Sequence, residues 1–171
     1  MTFKDDILKG EAGENILGSL LEKCGFAVTK SRGKNDSWDL KASLNGKDWY
    51  FEVKYDLYSL KSQNIAIEFH NSKTNKPSGI SATKSDFWVH IIPSKPVKIL
   101  VCPTDKLLKL VKDAVAGCHT DISPLRIVYG GGDKNSDMIL FQLSNISPVF
   151  VDFSLLSHAE IQEYIYDSHR C

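Results

Sequence analysis

The stretch Trp38-Asp39-Leu40-Lys41-Ala42-Ser43-Leu44-Asn45-Gly46-Lys47-Asp48-Trp49-Tyr50-Phe51-Glu52-Val53-Lys54-Tyr55 decides the fold. At its centre, Asn45-Gly46 is the pair that joins two antiparallel strands most tightly, because both residues accept a positive φ. Before the turn, Leu40, Ala42 and Leu44 alternate with polar residues; after it, Asp48 to Tyr55 forms the returning strand. Alternation puts Trp38, Leu40, Ala42 and Leu44 on one face of the sheet and Asp39 on the other, where the hairpin partner brings Glu52 close. Glu52 and Lys54 project to the same side, with Asp56 following them. Charges inside so apolar a strand are costly unless they are paired, wet or bound to a metal.

Outward from the hairpin, helical spacing of Ile7, Leu8, Ile16, Leu17, Leu20 and Leu21 predicts a helix from Asp5 to Cys24, stopped by Gly25. Phe26 to Thr29 reads as a short strand, followed by a polar turn over residues 31–36. Asn64 to His70 is a further strand, with Ile65, Ile67 and Phe69 on its core face and Ala66, Glu68 and His70 opposite. A polar loop to Ser81 precedes one expected helical turn at Thr83 to Asp86. Phe87 to Ile92 and Val97 to Val101 read as strands. A helix follows from Thr104 to about Ala116, with Leu107, Leu108, Leu110, Val111 and Val115 inward. Arg126 to Tyr129 and Met138 to Leu143 are strand candidates around Gly130-Gly131-Gly132-Asp133, and His158 to Asp167 is a final helix. The expectation is one α/β domain over residues 1–171, a mixed β-sheet flanked by helices. Its core covers about 5–102, and the role of an extension over 103–171 is left open.

At 171 residues the chain suits one well-cored domain. Its 42% apolar and 25% charged residues are those of a soluble globular protein, with no apolar run long enough to span a bilayer. The polar, acidic start at Met1 to Asp6 is wrong for a signal peptide. Cys24, Cys102, Cys118 and Cys171 are scattered without metal-ligand spacing, which fits reduced thiols and a cytoplasmic location. Net charge is zero, but residues 1–100 hold 15 Lys and Arg against 12 Asp and Glu. From Lys61 to Lys84 there are four lysines and only Glu68 as an acid. A basic patch beside a carboxylate cluster suits a polyanion, because phosphate binding releases counterions. By itself the same segment reads as a solvated loop.

An acid, a short hairpin and then Glu-x-Lys on the returning strand resembles the PD-(D/E)xK nuclease superfamily. The match runs from about Gly10 to Ile92, and Trp38 stands where that family often has proline. The resemblance implies a restriction-endonuclease-like core, a metal-dependent DNA endonuclease and Mg²⁺ (or Mn²⁺) as cofactor. It implies Asp39 and Glu52 as metal ligands together with the Val53 backbone carbonyl. Lys54 would orient or help deprotonate the attacking water, and a helix acid would support the set. Glu14, eleven residues before Gly25, has a spacing similar to that in archaeal Holliday-junction resolvases; Glu11 is the alternative. The segment Ser78-Gly79-Ile80-Ser81-Ala82-Thr83-Lys84-Ser85-Asp86-Phe87-Trp88 resembles one in small phage-type nucleases.

In that segment, hydroxyls and small residues before a helical turn would leave N–H groups free for phosphate, with Lys84 adding charge. With Gln63, whose amide could hydrogen-bond a phosphate or sugar, Ser81, Thr83 and Lys84 are the expected nucleic-acid contacts. Asp56 and Glu68 are expected at ordinary exposed positions, and His90 as a satisfied strand residue. DNA is the expected partner and a homodimer the expected assembly, since two cuts across a duplex are most simply made by two copies of one site. Few arginines (Arg32, Arg126 and Arg170) weigh against extensive guanine readout. Two other readings compete: a non-catalytic nucleic-acid-binding module on a degenerate nuclease fold, and a structural protein whose Asp39, Glu52 and Lys54 are a charge ladder on a wet sheet face.

Overall fold

The computed structural model describes residues 3–31, 37–118, 120, 122–130 and 135–168, with side chains described from Gly10 onward. The Arg32 to Asp36 turn, Gly131 to Asp133, Arg170, Cys171 and the Ile7 and Leu8 side chains lie outside them.

The Asn45-Gly46 hairpin forms as its chemistry requires. Asn45 and Gly46 have φ of 52° and 76°, the double positive φ of a type I′ turn. It joins β2 (Leu40–Leu44) to β3 (Lys47–Tyr55) in the register Leu40↔Phe51 to Leu44↔Lys47. Strand β1 (Ala27–Lys30) pairs with the outer edge of β2. On its other edge, β3 runs parallel to β6 (Phe87–Ile92), which is followed by antiparallel β7 (Lys98–Pro103) and the two-residue β10 (Val151–Asp152). The six-stranded sheet is therefore mixed, in the order β1-β2-β3-β6-β7-β10. Parallel neighbours need a long crossover, and residues 56–86 supply it.

That crossover contains α2 (Ser59–Ser62), β4 (Asn64–Asn71) and β5 (Lys76–Pro77). Strand β4 leaves the first sheet altogether. It pairs with β9 (Ser136–Gln142) and β5 in a four-stranded antiparallel sheet, completed by β8 (Arg126–Val128). Residues beyond 103 thus build half of the second sheet and the β10 edge of the first.

Two apolar layers hold the sheets. On one face of the large sheet, Leu17 and Leu21 of α1 (Phe3–Lys23) and Ile161 and Ile165 of α4 (His158–Asp167) pack on Leu40, Ala42, Phe51 and Val53. Helix α4 starts at a capping box, in which Ser157 and Glu160 bond reciprocally. On the opposite face, Trp88 and Cys102 meet Leu107 and Val111 of α3 (Thr104–Val115) and Ile65, Ile67, Ile139 and Phe141 of the small sheet. Strand β6 is buried along its whole length, which is why it reads as an unbroken apolar run. Among the described residues no helix is long and apolar enough to cross a membrane, and Cys24, Cys102 and Cys118 are free thiols.

Three local expectations are corrected. Val115 is 41% exposed and Ala114 takes the inward place, because the buried stripe of α3 runs 104-107-110-111-114. The helical turn lies at Gly79–Ser81, as a single 3₁₀ turn, and not at Thr83 to Asp86. Gly79 fixes that place: its φ is +51° and an added Cβ would fall 2.3 Å from the Glu68 carbonyl oxygen, so only glycine fits. Trp38 precedes β2 and packs on Tyr50, 5.4 Å between ring centroids. It therefore lies on the Glu52 face and not with Leu40, since strand alternation does not extend past the strand's end.

Candidate active site

Strand β2 begins at Leu40, so the last backbone bond of the β2–β3 pair is Asp39 N–H to the Phe51 carbonyl. Beyond it the Asp39 side chain takes over: Oδ2 accepts the Val53 N–H at 2.7 Å. A residue's N–H and C=O point to the same strand edge, so the Val53 carbonyl also faces this gap. Asp39 and Glu52 follow the pair Leu40↔Phe51 by one residue and share the face opposite the α1 layer. Lys54 is two residues on, with Nζ 2.5 Å from Glu52 Oε1 and 5.2 Å from the Trp88 ring centre.

Helix α1 adds the third acid. Gly13 brings the helix onto β3, since a Cβ there would lie 3.2 Å from Tyr55 Cβ and 3.3 Å from Val53 Cγ1. Glu14, next in sequence, is half-buried, while Glu11 is exposed. Glu14 reaches Lys30 of β1 at 3.5 Å and acts electrostatically on Asp39. The Asp39 carboxyl is raised to about 6, first by burial, then by the Glu52 charge, with Glu14 adding to it. The Val53 N–H and Lys54 pull the other way without prevailing. Asp39, Glu52 and Glu14 also outnumber Lys54 and Lys30, the two lysines that neighbour them.

That surplus is what a cation relieves. Mg²⁺ takes oxygen ligands and keeps several waters, so one or two carboxylates and a carbonyl suffice. Asp39, Glu52 and the Val53 carbonyl could supply such a set, although among the described residues no three His, Cys, Asp or Glu side chains close into a ready cage.

The other expected contacts separate. Thr83 joins the site, donating from Oγ1 toward Glu52 Oε2 at 3.2 Å and the Ser37 carbonyl at 3.1 Å. Gln63 caps α2 with φ 55°, its Nε2 turned back onto the Leu60 carbonyl. Ser81 is exposed on the 3₁₀ turn, and Lys84 is exposed on the Trp38 side of Thr83. From Ser81 to Ser85 the N–H groups of this segment are not left for phosphate. Those of Ser81, Ala82, Thr83 and Lys84 go to the carbonyls of Ser78, Gly79, Gly79 and Ser37, and that of Ser85 goes to Thr83 Oγ1.

Asp86, expected only as the end of a helical turn, ties β6 to β3: its N–H donates to the Tyr50 carbonyl and its Oδ2 accepts the Tyr50 N–H at 2.7 Å. Nor are Asp56 and Glu68 simply exposed. Glu68 is half-buried on the small sheet and accepts from Ser78 Oγ. Asp56 accepts from the Tyr58 and Ser59 N–H groups and Ser59 Oγ. Burial works to raise its pKa, but neighbouring His90 and the Ser59 bonds outweigh it and bring it down to about 2. His90 is buried with Nδ1 3.6 Å from Asp56 Oδ2, and neither ring nitrogen has a hydrogen-bond partner. It is packed beside Asp56 without the hydrogen bonds that a satisfied strand histidine would make. A spacing pattern gives no sign of it, because the partner arrives through the crossover.

No protein-family model matches this chain, and no curated protein matches it. Among solved structures, a bacterial homing endonuclease, I-Ssp6803I, is similar, with a TM-score of 0.48 and 23% identity over 60% of this chain and 71% of that one. A likeness of that size does not speak to chemistry.

Proposed function

We propose that this chain is a metal-dependent endonuclease that hydrolyses DNA phosphodiester bonds at Asp39, Glu52 and Lys54, with Glu14 in support. The observation that carries the reading is the Asp39 carboxylate seated on the Val53 N–H, beside Glu52 and Lys54, at the point where β2 leaves β3. A charge ladder needs neither a carboxylate seated on a neighbouring strand's N–H nor a half-buried carboxyl with a raised pKa.

Bound Mg²⁺ or Mn²⁺ would lower the pKa of a water and offset charge on the phosphate. Asp39, Glu52 and the Val53 carbonyl would hold the ion. Lys54, anchored by Glu52 and backed by Trp88, keeps its ammonium at the water-side edge, where it orients the attacking water and faces the phosphate's negative charge. Thr83 steadies the Glu52 carboxylate from the other side. Glu14 reinforces the negative field that selects a cation at Asp39.

The test is cleavage of labelled supercoiled plasmid, linear duplex and four-way junction, each with Mg²⁺, Mn²⁺ or EDTA, alongside Lys54→Ala. The expected result is cutting that requires the metal and is lost in the variant. Metal-independent cutting, or full activity in Lys54→Ala, would overturn the reading.

A further inference from the structure

Beside the acids on the same face lies a cleft of about 390 Å³ lined by Thr29, Trp38, Lys41, Tyr50 and Lys84. Its residues are placed by the elements that place the site. Trp38 immediately precedes Asp39, and Tyr50 stands two residues before Glu52 on β3, about 7 Å along the strand. The two rings support one another, with centroids 5.4 Å apart and planes at 53°, and both are half-buried. Lys84 is exposed. Lys41 is 3.4 Å from Asp48, an open ion pair that exchanges readily for a phosphate. Asp48 also accepts from Ser43, and Asp86 from the Tyr50 N–H.

Two aromatic rings and two lysines lining one cleft beside the proposed cutting site match the chemistry of a nucleotide: a π-face for the base and cations for the backbone. The volume is at the lower end of small-ligand sites, enough for one nucleotide and not for a duplex. A base inside a continuous duplex has both faces covered by its neighbours. Only a base that has left the stack can lie on rings set in a cleft.

We infer that this cleft is a subsite for an unpaired nucleotide of the substrate strand, beside the bond to be cut. Its base lies on Trp38 and Tyr50, and its phosphate between Lys41 and Lys84. The inference rests on the nuclease reading and narrows it: the enzyme prefers flaps, gaps or branches, with single-stranded nucleotides beside the cut, over continuous duplex.

The test is binding, in EDTA so that nothing is cut, of a flap DNA carrying 2-aminopurine in its single-stranded arm, compared with a continuous duplex of the same sequence. Wild-type protein is expected to quench the 2-aminopurine and to prefer the flap. Trp38→Leu should lose the quenching and bind the flap about 10-fold or more weakly, while duplex binding changes by no more than about twofold. Trp38→Phe, which keeps a ring, should retain most of both. Should Trp38→Leu fail to fold, Lys84→Ala at its exposed position is expected to lower the salt slope of flap binding by about one. No quenching by wild type, or equal losses on flap and duplex in Trp38→Leu, would overturn the subsite. Cleavage without quenching sinks the subsite alone, and quenching without metal-dependent cleavage sinks the nuclease reading alone.

Discussion

Asp39→Asn separates the chemistry of the site from its cost to the fold. The amide keeps an oxygen to accept the Val53 N–H but removes the charge that burial, Glu52 and Glu14 oppose. A carboxyl whose pKa is higher folded than unfolded takes up a proton on folding. Its contribution is fully present below the unfolded value of 3.8 and is lost as pH rises through about 6. A shift of that size corresponds to about 3 kcal/mol. Solvent at this open-ended site screens part of it, leaving roughly 1–2 kcal/mol. Asp39→Asn should therefore be more stable than wild type at pH 8 by that amount, or about 2–8 °C in Tm for a chain of this size. At pH 4 the two should nearly coincide. Urea denaturation of both proteins at the two pH values, with EDTA present, is the assay, and the variant should be inactive throughout. A variant no more stable than wild type at pH 8 would refute the claim that Asp39 sits in a repulsive, desolvated place.

Adding Mg²⁺ at pH 8 should raise the Tm of wild type and not that of Asp39→Asn, read by thermal shift; an equal rise in both would remove Asp39 as a ligand. Gly13→Leu should cost about 1–3 kcal/mol in urea denaturation, because helix α1 must lift from Val53 and Tyr55, carrying Glu14 away. Gly79→Ala should cost about 2–5 kcal/mol, combining the left-handed backbone with a Cβ driven into the Glu68 carbonyl. Ile161→Ala, deep in the α1–α4 layer, should cost about 2–5 kcal/mol in one cooperative transition seen equally by far-UV and tryptophan signals.

The parts of the fold that local chemistry dictates were legible. Asn45-Gly46 sets the hairpin register, which puts Glu52 beside Asp39, and period-two alternation carries Lys54 onto the same face. The bounds of α4 are readable because its capping box is written in Ser157 and Glu160. What depends on distant pairing was not legible. Nothing in Asn64 to Asn71 says that its partner is Ser136 to Gln142, so its departure into a second sheet is visible only in the folded chain. The Ser78 to Ser85 segment has the composition of a phosphate loop, yet from Ser81 onward its N–H groups are spent on its own turn and on Ser37. Asp56 and His90 come together across the β3–β6 crossover, and Trp38 leaves its expected face because its strand has already ended.

Single-turnover cleavage of one labelled DNA by wild type, Asp39→Asn, Glu52→Gln and Lys54→Ala, with Mg²⁺ and all four shown folded, tests the central claim most directly. Wild type should cut, and each variant should lose at least about 100-fold in rate while still binding the DNA. Cutting by any of the three at the wild-type rate would contradict the assignment of the site.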